Sequence, residues 1–309
     1  MNENGILTIA FGKDRYINMA MDLGRSIKLN SPGIETAIVT DSENSDIASL
    51  YDYLIPLNKD YGKNVEQKLH IDKYSPFENT LFIDSDCLTF RSLEFAFDLF
   101  LDSKSIALGT EFFYPGDNCE FADINEITQK LNIKKIPRFN GGVYYVSKTS
   151  TQPDILEYAR SLLENYKEIG FWSFRNQGPN DELLIGAAIE KMGFQNISDD
   201  SKLMRTPIGI LGPLFVDVFK NKSEFNKYGH KVNPAIVHFA GGIVECKEYK
   251  REAGKLKVYY KSNFLKKANV QLYHIFFNLK IWFKVLRNKL WAITPRLLRL
   301  IYHGLRKRL

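Results

Sequence analysis

The chain is short of the features that would set it apart from ordinary globular proteins. Three cysteines, Cys87, Cys119 and Cys246, are spread over 309 residues. None stands at CxxC or other paired spacing, which argues against a disulfide framework and for a reducing compartment. No stretch reaches the roughly 18 uncharged apolar residues of a membrane-spanning helix. The opening MNENGILTIAFG lacks the basic and long apolar segments of a secretory signal. Internal repeats and low-complexity segments are missing as well. Acidic residues are missing from one end. Twelve of the 42 Lys and Arg, but none of the 36 Asp and Glu, lie from Lys261 onward. The body therefore carries about −6 and the tail about +12, and a tail of that sign suits an anionic surface.

What is present is an α/β pattern. Residues 5–11 (GILTIAF) read as a strand, INMAMDLGRSIKL as a helix, ETAIVTD as a strand, DIASLYDYLI as a short helix and strand, EQKLHIDKY as a helix, and TLFIDSD as a strand. This alternation predicts a mostly parallel sheet flanked by helices. Residues 111–139 read as a long loop or small lid. GGVYYVSK reads as a strand, TQPDILEYARSLLENY and NDELLIGAAIEKMG as helices, and PAIVHFAGG as a late strand. Two regions are expected: residues 1–255 as the α/β domain, and 256–309 as basic amphipathic helices.

The chemistry concentrates in a few short stretches. Asp84 and Asp86 close an apolar strand. Alternate strand residues share a face, so the two carboxylates are expected to converge. They suit a solvated strand end, or a hard divalent cation such as Mg²⁺ or Mn²⁺. Open α/β sheets bind ligands at the C-terminal ends of their strands. Downstream, Asn140 and Gly141 in FNGGVYYV suit a hairpin turn or a close approach to a ligand. His238 in IVHFAGG is placed to be a third ligand or a core histidine. Asp181 and Glu182 open a helix, where carboxylates favour the macrodipole whatever else they do.

Taken in order, LFIDSDCL, FNGGVYYV, PNDELLIGAAI and VHFAGG resemble the GT-A fold glycosyltransferases, and among them family 8, the glycogenin and lipopolysaccharide glucosyl- and galactosyltransferase type. The stretches TIAFGKDRYINMAMDLGRSI and QKLHIDKYSPFENTLFIDSD also look like that family. The resemblance runs from about Ile6 to Gly242. It implies a Rossmann-like sheet and transfer of a hexose from a nucleotide sugar to a saccharide acceptor, with retention. Asp84, Asp86 and His238 would hold Mn²⁺ or Mg²⁺. Ala10 and Tyr16 would lie at the base and ribose, Lys68 near the phosphates or sugar, and Ser85, Asn140, Gly141 and Gly241 along the donor. Asp181, or Glu182 beside it, would sit beneath the anomeric carbon, where the family more often has Gln. A second departure is Val244, which stands where the family places a phosphate-binding lysine; the nearest lysine is Lys247.

Two other enzyme classes fit less well. Dehalogenase-type phosphatases want Thr or Val where Leu88 stands, and sugar nucleotidyltransferases want a glycine-rich loop where AFGKDRY stands. A membrane-surface protein that binds nucleotide sugar without turnover stays open. In the tail, Leu272, Ile275, Leu279, Phe283, Leu286 and Leu290 recur at helical spacing beside Lys280, Lys284 and Arg287, with Trp282 and Trp291. Pro295 interrupts the run, and Arg296, Arg299 and a terminal RKRL continue the theme. A helix of this kind lies in the plane of a membrane surface. That predicts a peripheral protein on the inner face of the cell membrane with a lipid-linked acceptor (lipopolysaccharide, capsule precursor or glycolipid). Nucleic acid is the less suitable partner, because the apolar face is too rich.

Overall fold

The computed structural model describes residues 3–101, 103–173, 178–262 and 264–293. The side chains of Leu290 and Trp291, and every residue from 294 on, including Pro295, Arg296, Arg299 and the terminal RKRL, lie outside the described part. The chain divides into two compact units, residues 1–249 and 250–309. A helix, Lys247–Lys261, runs across that division and also across the expected boundary after residue 255.

The first unit is built on a five-stranded sheet. Its strands are β1 (Asn4–Ile9), β2 (Glu35–Thr40), β3 (Tyr53–Pro56), β4 (Asn79–Ile83) and the later strand Val143–Ser147. They run in the order β3-β2-β1-β4 and then Val143–Ser147. The first four are parallel, and the last is antiparallel to β4. The near-continuous apolar runs ILTI, AIV and LFI suit a sheet covered on both faces. Successive residues supply opposite cores, as a period of two requires. Leu7, Phe82 and Tyr144 join Ile155 and Leu184 of the helices Gln152–Ser161 and Asp181–Lys191. Ile6, Leu81 and Tyr145 join Leu23 and Ile27 of helix α1 (Asp14–Asn30) on the other side.

The carboxylate pair does not lie in the strand. β4 ends at Ile83, and Asp84–Asp86 form a tight turn closed by the Cys87 amide donating to the Asp84 carbonyl at 3.1 Å. Asp-Ser-Asp is turn-forming chemistry, so the apolar run overstated the strand's length. The turn carries the chain into a second, three-stranded sheet. There β5 (Cys87–Thr89) pairs antiparallel with Ile236–His238, which pairs in turn with Met204–Arg205.

Residues 111–139 are more ordered than a loop. Glu111–Phe113 and Ile136–Arg138 form a ribbon around the helix Ile124–Leu131, capped by Asp123 accepting from the Glu126 amide. The segment EQKLHIDKY is a 3₁₀ helix, Asn64–His70, followed by one α-turn, Ile71–Tyr74. A three-stranded antiparallel meander (Leu211–Asp217, Lys222–Lys227, His230–Val232) escaped the sequence reading. Its signal was faint: only Ser223 and Phe225 of the middle strand are buried.

In the second unit the helix Lys266–Ile293 spans 28 residues. It exposes Leu272, Ile275, Phe276, Leu279, Trp282 and Phe283. None of the described helices is long and apolar enough to cross a membrane.

Candidate active site

Five chain segments that are distant in sequence meet at the end of β4. The Asp84–Asp86 turn is tied to the glycine pair by the Asp84 amide donating to the Gly142 carbonyl at 3.0 Å. His238 sits opposite Cys87 in the small sheet, which brings its ring to the turn. Its Nε2 lies 3.0 Å from Asp86 Oδ1 and 3.8 Å from Asp84 Oδ2. Lys68 projects from the 3₁₀ helix and donates to Asp84 Oδ2 at 2.7 Å, with Asp181 Oδ2 3.4 Å away. Asp181 also accepts from the Tyr144 hydroxyl at 2.8 Å. Glu182 accepts the Gly141 amide at 2.7 Å. The Asn180 side chain caps their helix by accepting from the Leu183 amide, which fixes Asp181 and Glu182 in its first turn.

The glycines are needed for packing. A Cβ on Gly142 would stand 2.4 Å from His238 Nδ1, and one on Gly141 would stand 2.5 Å from the Tyr144 hydroxyl. The NGG stretch therefore lets the imidazole and the Tyr144–Asp181 pair close onto the turn.

The electrostatics are those of a buried charge cluster. Burial raises the Asp84 pKa, Asp86 adds to this, and Lys68 only partly opposes it. Burial also works against the Asp86 carboxylate, but His238 outweighs it and draws the pKa down. Burial opposes the His238 imidazolium, yet Asp86 and Asp84 prevail and raise its pKa. Lys68 is likewise held charged, because Asp181 and Asp84 overcome its burial. Glu182 is pushed up to about 7, chiefly by burial and next by Asp181.

The donor set fits a hard divalent ion. Asn140 Oδ1 accepts from the Gly142 amide at 3.0 Å and lies 2.6 Å from His238 Nδ1. That oxygen can only accept, so Nδ1 carries the proton and Nε2 faces the carboxylates. Metal-binding histidines are oriented by second partners of this kind. Cys87 Sγ also lies within 4.8 Å of candidate ligand atoms on Asp86 and His238. Burial holds its thiol well above the usual range, however, and hard ions prefer oxygen and imidazole. Asp84, Asp86 and His238 are the better set.

Of the other residues singled out from sequence, Ser85 lies within the turn, and Asn140, Gly141 and Lys68 are in the cluster. Ala10, Tyr16 and Gly241 make no contact with it that the structure records. Ala10 is buried just after β1, its amide donating to the Val39 carbonyl. Tyr16 is 40% exposed on the first turn of α1. Gly241 has φ +60° and opens the turn that holds Val244. Val244 is buried, and Lys247 points to solvent beside Glu248. The cation at this turn is Arg15, which donates to the Gly241 carbonyl at 3.1 Å. Neither Arg15 nor Tyr144 stands out by residue type in the sequence, although they lie inside TIAFGKDRY and FNGGVYYV.

A cavity of about 910 Å³ opens beside the cluster, with Asn140, Asn180, Glu182 and Thr206 in its wall. Asp181 is not in that wall and is only 5% exposed. Of the two neighbouring carboxylates, Glu182 is the one a ligand in the cavity would meet.

No protein-family model matches the chain, and no curated protein resembles it in sequence. Solved structures do. The crystal structure of the galactosyltransferase LgtC, in complex with donor and acceptor sugar analogs, superposes with a TM-score of 0.55. The match covers 82% of this chain and 94% of that one at 15% identity. An active-site mutant of LgtC gives 0.51 over 77% of this chain and 87% of that one, also at 15% identity. The fold is that of the GT-A glycosyltransferases: a mixed α/β unit with a parallel-rich sheet between helices.

Proposed function

We propose that the chain is a metal-dependent glycosyltransferase. It moves a hexose from a nucleotide sugar, with UDP-glucose or UDP-galactose favoured, to a lipid-linked saccharide with retention. One observation carries this reading. Two carboxylates and an imidazole of fixed tautomer converge beside a buried lysine and a cavity-facing carboxylate, on the fold shared with LgtC. Asp84, Asp86 and His238 would hold Mn²⁺ or Mg²⁺, which as a Lewis acid would offset charge on the leaving diphosphate. Lys68, kept charged by its two carboxylates, adds fixed positive charge at the same place. Asp181 and Tyr144 position Lys68. Glu182 faces the sugar, as nucleophile or as a counter-charge to an oxocarbenium-like state. Incubation with Mn²⁺ and either UDP-sugar should release UDP, and UDP with Mn²⁺ should raise the melting temperature. No release and no thermal shift with any donor would sink the proposal.

The buried Val244 favours a second reading, in which the chain binds the nucleotide sugar without turnover. A thermal shift without UDP release selects it.

The helix Lys266–Ile293 supports a membrane-surface role. Leu272, Ile275, Phe276, Leu279 and Phe283 fall on one exposed stripe, and Lys280, Lys284 and Arg287 run along its border. Each basic residue near an anionic leaflet contributes about 1 kcal/mol. Full-length protein should sediment with vesicles containing phosphatidylserine, and a chain truncated after Lys261 should stay in the supernatant. Equal sedimentation of the two would refute the role given to the tail.

A further inference from the structure

The cavity beside Glu182 is lined by six cationic side chains and four carboxylates, an excess of two positive groups. Three pairs are satisfied locally: Arg138–Glu111 at 3.7 Å, Lys202–Asp200 at 4.0 Å and Arg205–Asp199 at 2.9 Å. Lys231 turns instead to Glu224, 3.1 Å away. Lys227 and Arg91 remain. Among the described residues neither has a carboxylate within 4 Å. Arg91 donates to the carbonyls of Asn233 and Lys202, and its Nε is buried with no partner. The Lys227 ammonium donates to the Thr206 carbonyl at 2.6 Å. Burial lowers its pKa and the neighbouring Arg205 lowers it further, while the more distant Glu111 and the Tyr228 ring, 5.2 Å from the ammonium, only partly offset them, so this cation is without a close counter-charge. A ligand anion would remedy that.

The position of Lys227 ties this charge to the reaction centre. Its anchor, Thr206, places Oγ1 3.5 Å from His238 Nδ1, and Thr206, Asn140 and Glu182 line the same cavity. Tyr228 also lines it and offers an exposed aromatic ring of the kind sugars pack against. We infer that the acceptor is an acidic saccharide, whose carboxylate or phosphate is taken by Lys227 beside Arg205. This deepens the glycosyltransferase reading and rests on it for the word acceptor. The anion site itself can be measured without any transfer.

The experiment compares binding of methyl glucuronide, glucose 6-phosphate and methyl glucoside to the full-length protein by calorimetry, with no donor added. At least one of the two acids should bind about tenfold or more tightly than the neutral glucoside. The acid that binds more tightly identifies the anion as carboxylate or phosphate. Lys227→Met should erase the preference, and Lys227→Arg should keep it. The unfolding temperature of each variant reports whether the fold survives. If Lys227→Met does not fold, Lys227→Arg retaining the preference still supports the assignment. Acids binding no better than the neutral glucoside would overturn it, as would a folded Lys227→Met with an undiminished preference. Failure of the glycosyltransferase reading would show separately, as absent binding of UDP with Mn²⁺.

Discussion

Glu182→Gln should yield a protein that is more stable above neutral pH and almost inactive. The Glu182 carboxyl titrates near 7 because burial, and then Asp181, disfavour its charge. The native state therefore keeps a proton that the unfolded chain has lost between the ordinary carboxylate range and 7. The stability this group contributes is fully present in acid and disappears as pH climbs through 7. Glutamine removes the charge and retains an oxygen to accept the Gly141 amide. At pH 8 the variant should gain about 2 kcal/mol, or roughly 5 °C in melting temperature, and the gain should vanish at pH 4.5. Transfer should fall by about 10² to 10⁴-fold. In the parent protein kcat/KM should rise with pH through about 7 if Glu182 works ionised. A variant that transfers normally would remove Glu182 from the reaction. One that is no more stable at pH 8 would mean its charge is not disfavoured.

Asp86→Asn should separate metal binding from folding. Asp86 is the carboxylate nearest His238, at 3.0 Å, and it accounts for the largest part of the rise in the imidazole pKa. Without it the ion would lose a charged ligand, and Mn²⁺ affinity should drop roughly a hundredfold or more. UDP release should drop by about a thousandfold. The same geometry predicts competition between proton and metal. With its pKa raised, His238 stays protonated to higher pH than usual, so Mn²⁺ affinity in the parent should increase as pH rises. The pairing that His238⁺ provides is present below its ordinary pKa and is lost as pH rises through the raised one. Metal-free protein should thus lose stability in that window, and Mn²⁺ should restore it. Calorimetric titration of Mn²⁺ at several pH values, on parent and variant, checks both points. Equal affinities would exclude Asp86 as a ligand.

The central sheet was legible because its strands are apolar on both faces and its helices are amphipathic. The order of the cluster was legible too: Asp84, Asp86, Asn140, Gly141, Asp181, Glu182 and His238 all fall in stretches marked by residue type. How they meet was not. A pleat was expected to align Asp84 and Asp86, whereas a turn does so, because sequence cannot tell where an apolar strand yields to Asp-Ser-Asp. The choice between Asp181 and Glu182 also needed three dimensions. Both open the same helix, and only their neighbours, Tyr144 and Lys68 for one and open cavity for the other, distinguish them. The meander carrying Lys227 was missed because half-exposed polar strands hide their period.

The strand Ile236–His238 occupies the middle of the small sheet, with β5 on one side and Met204–Arg205 on the other. This has a consequence for biosynthesis. The large sheet is complete once the ribosome has passed Ser147, but β5 then waits as an unpaired edge for some ninety more residues. Until His238 emerges and slots in, the nascent chain holds the Asp84 and Asp86 carboxylates without the imidazole that lies 3.0 Å from Asp86 in the finished fold. The last strand of that sheet to be made therefore also carries the last side chain of the cluster, and a chain cut short before it would lack one of the three proposed metal ligands.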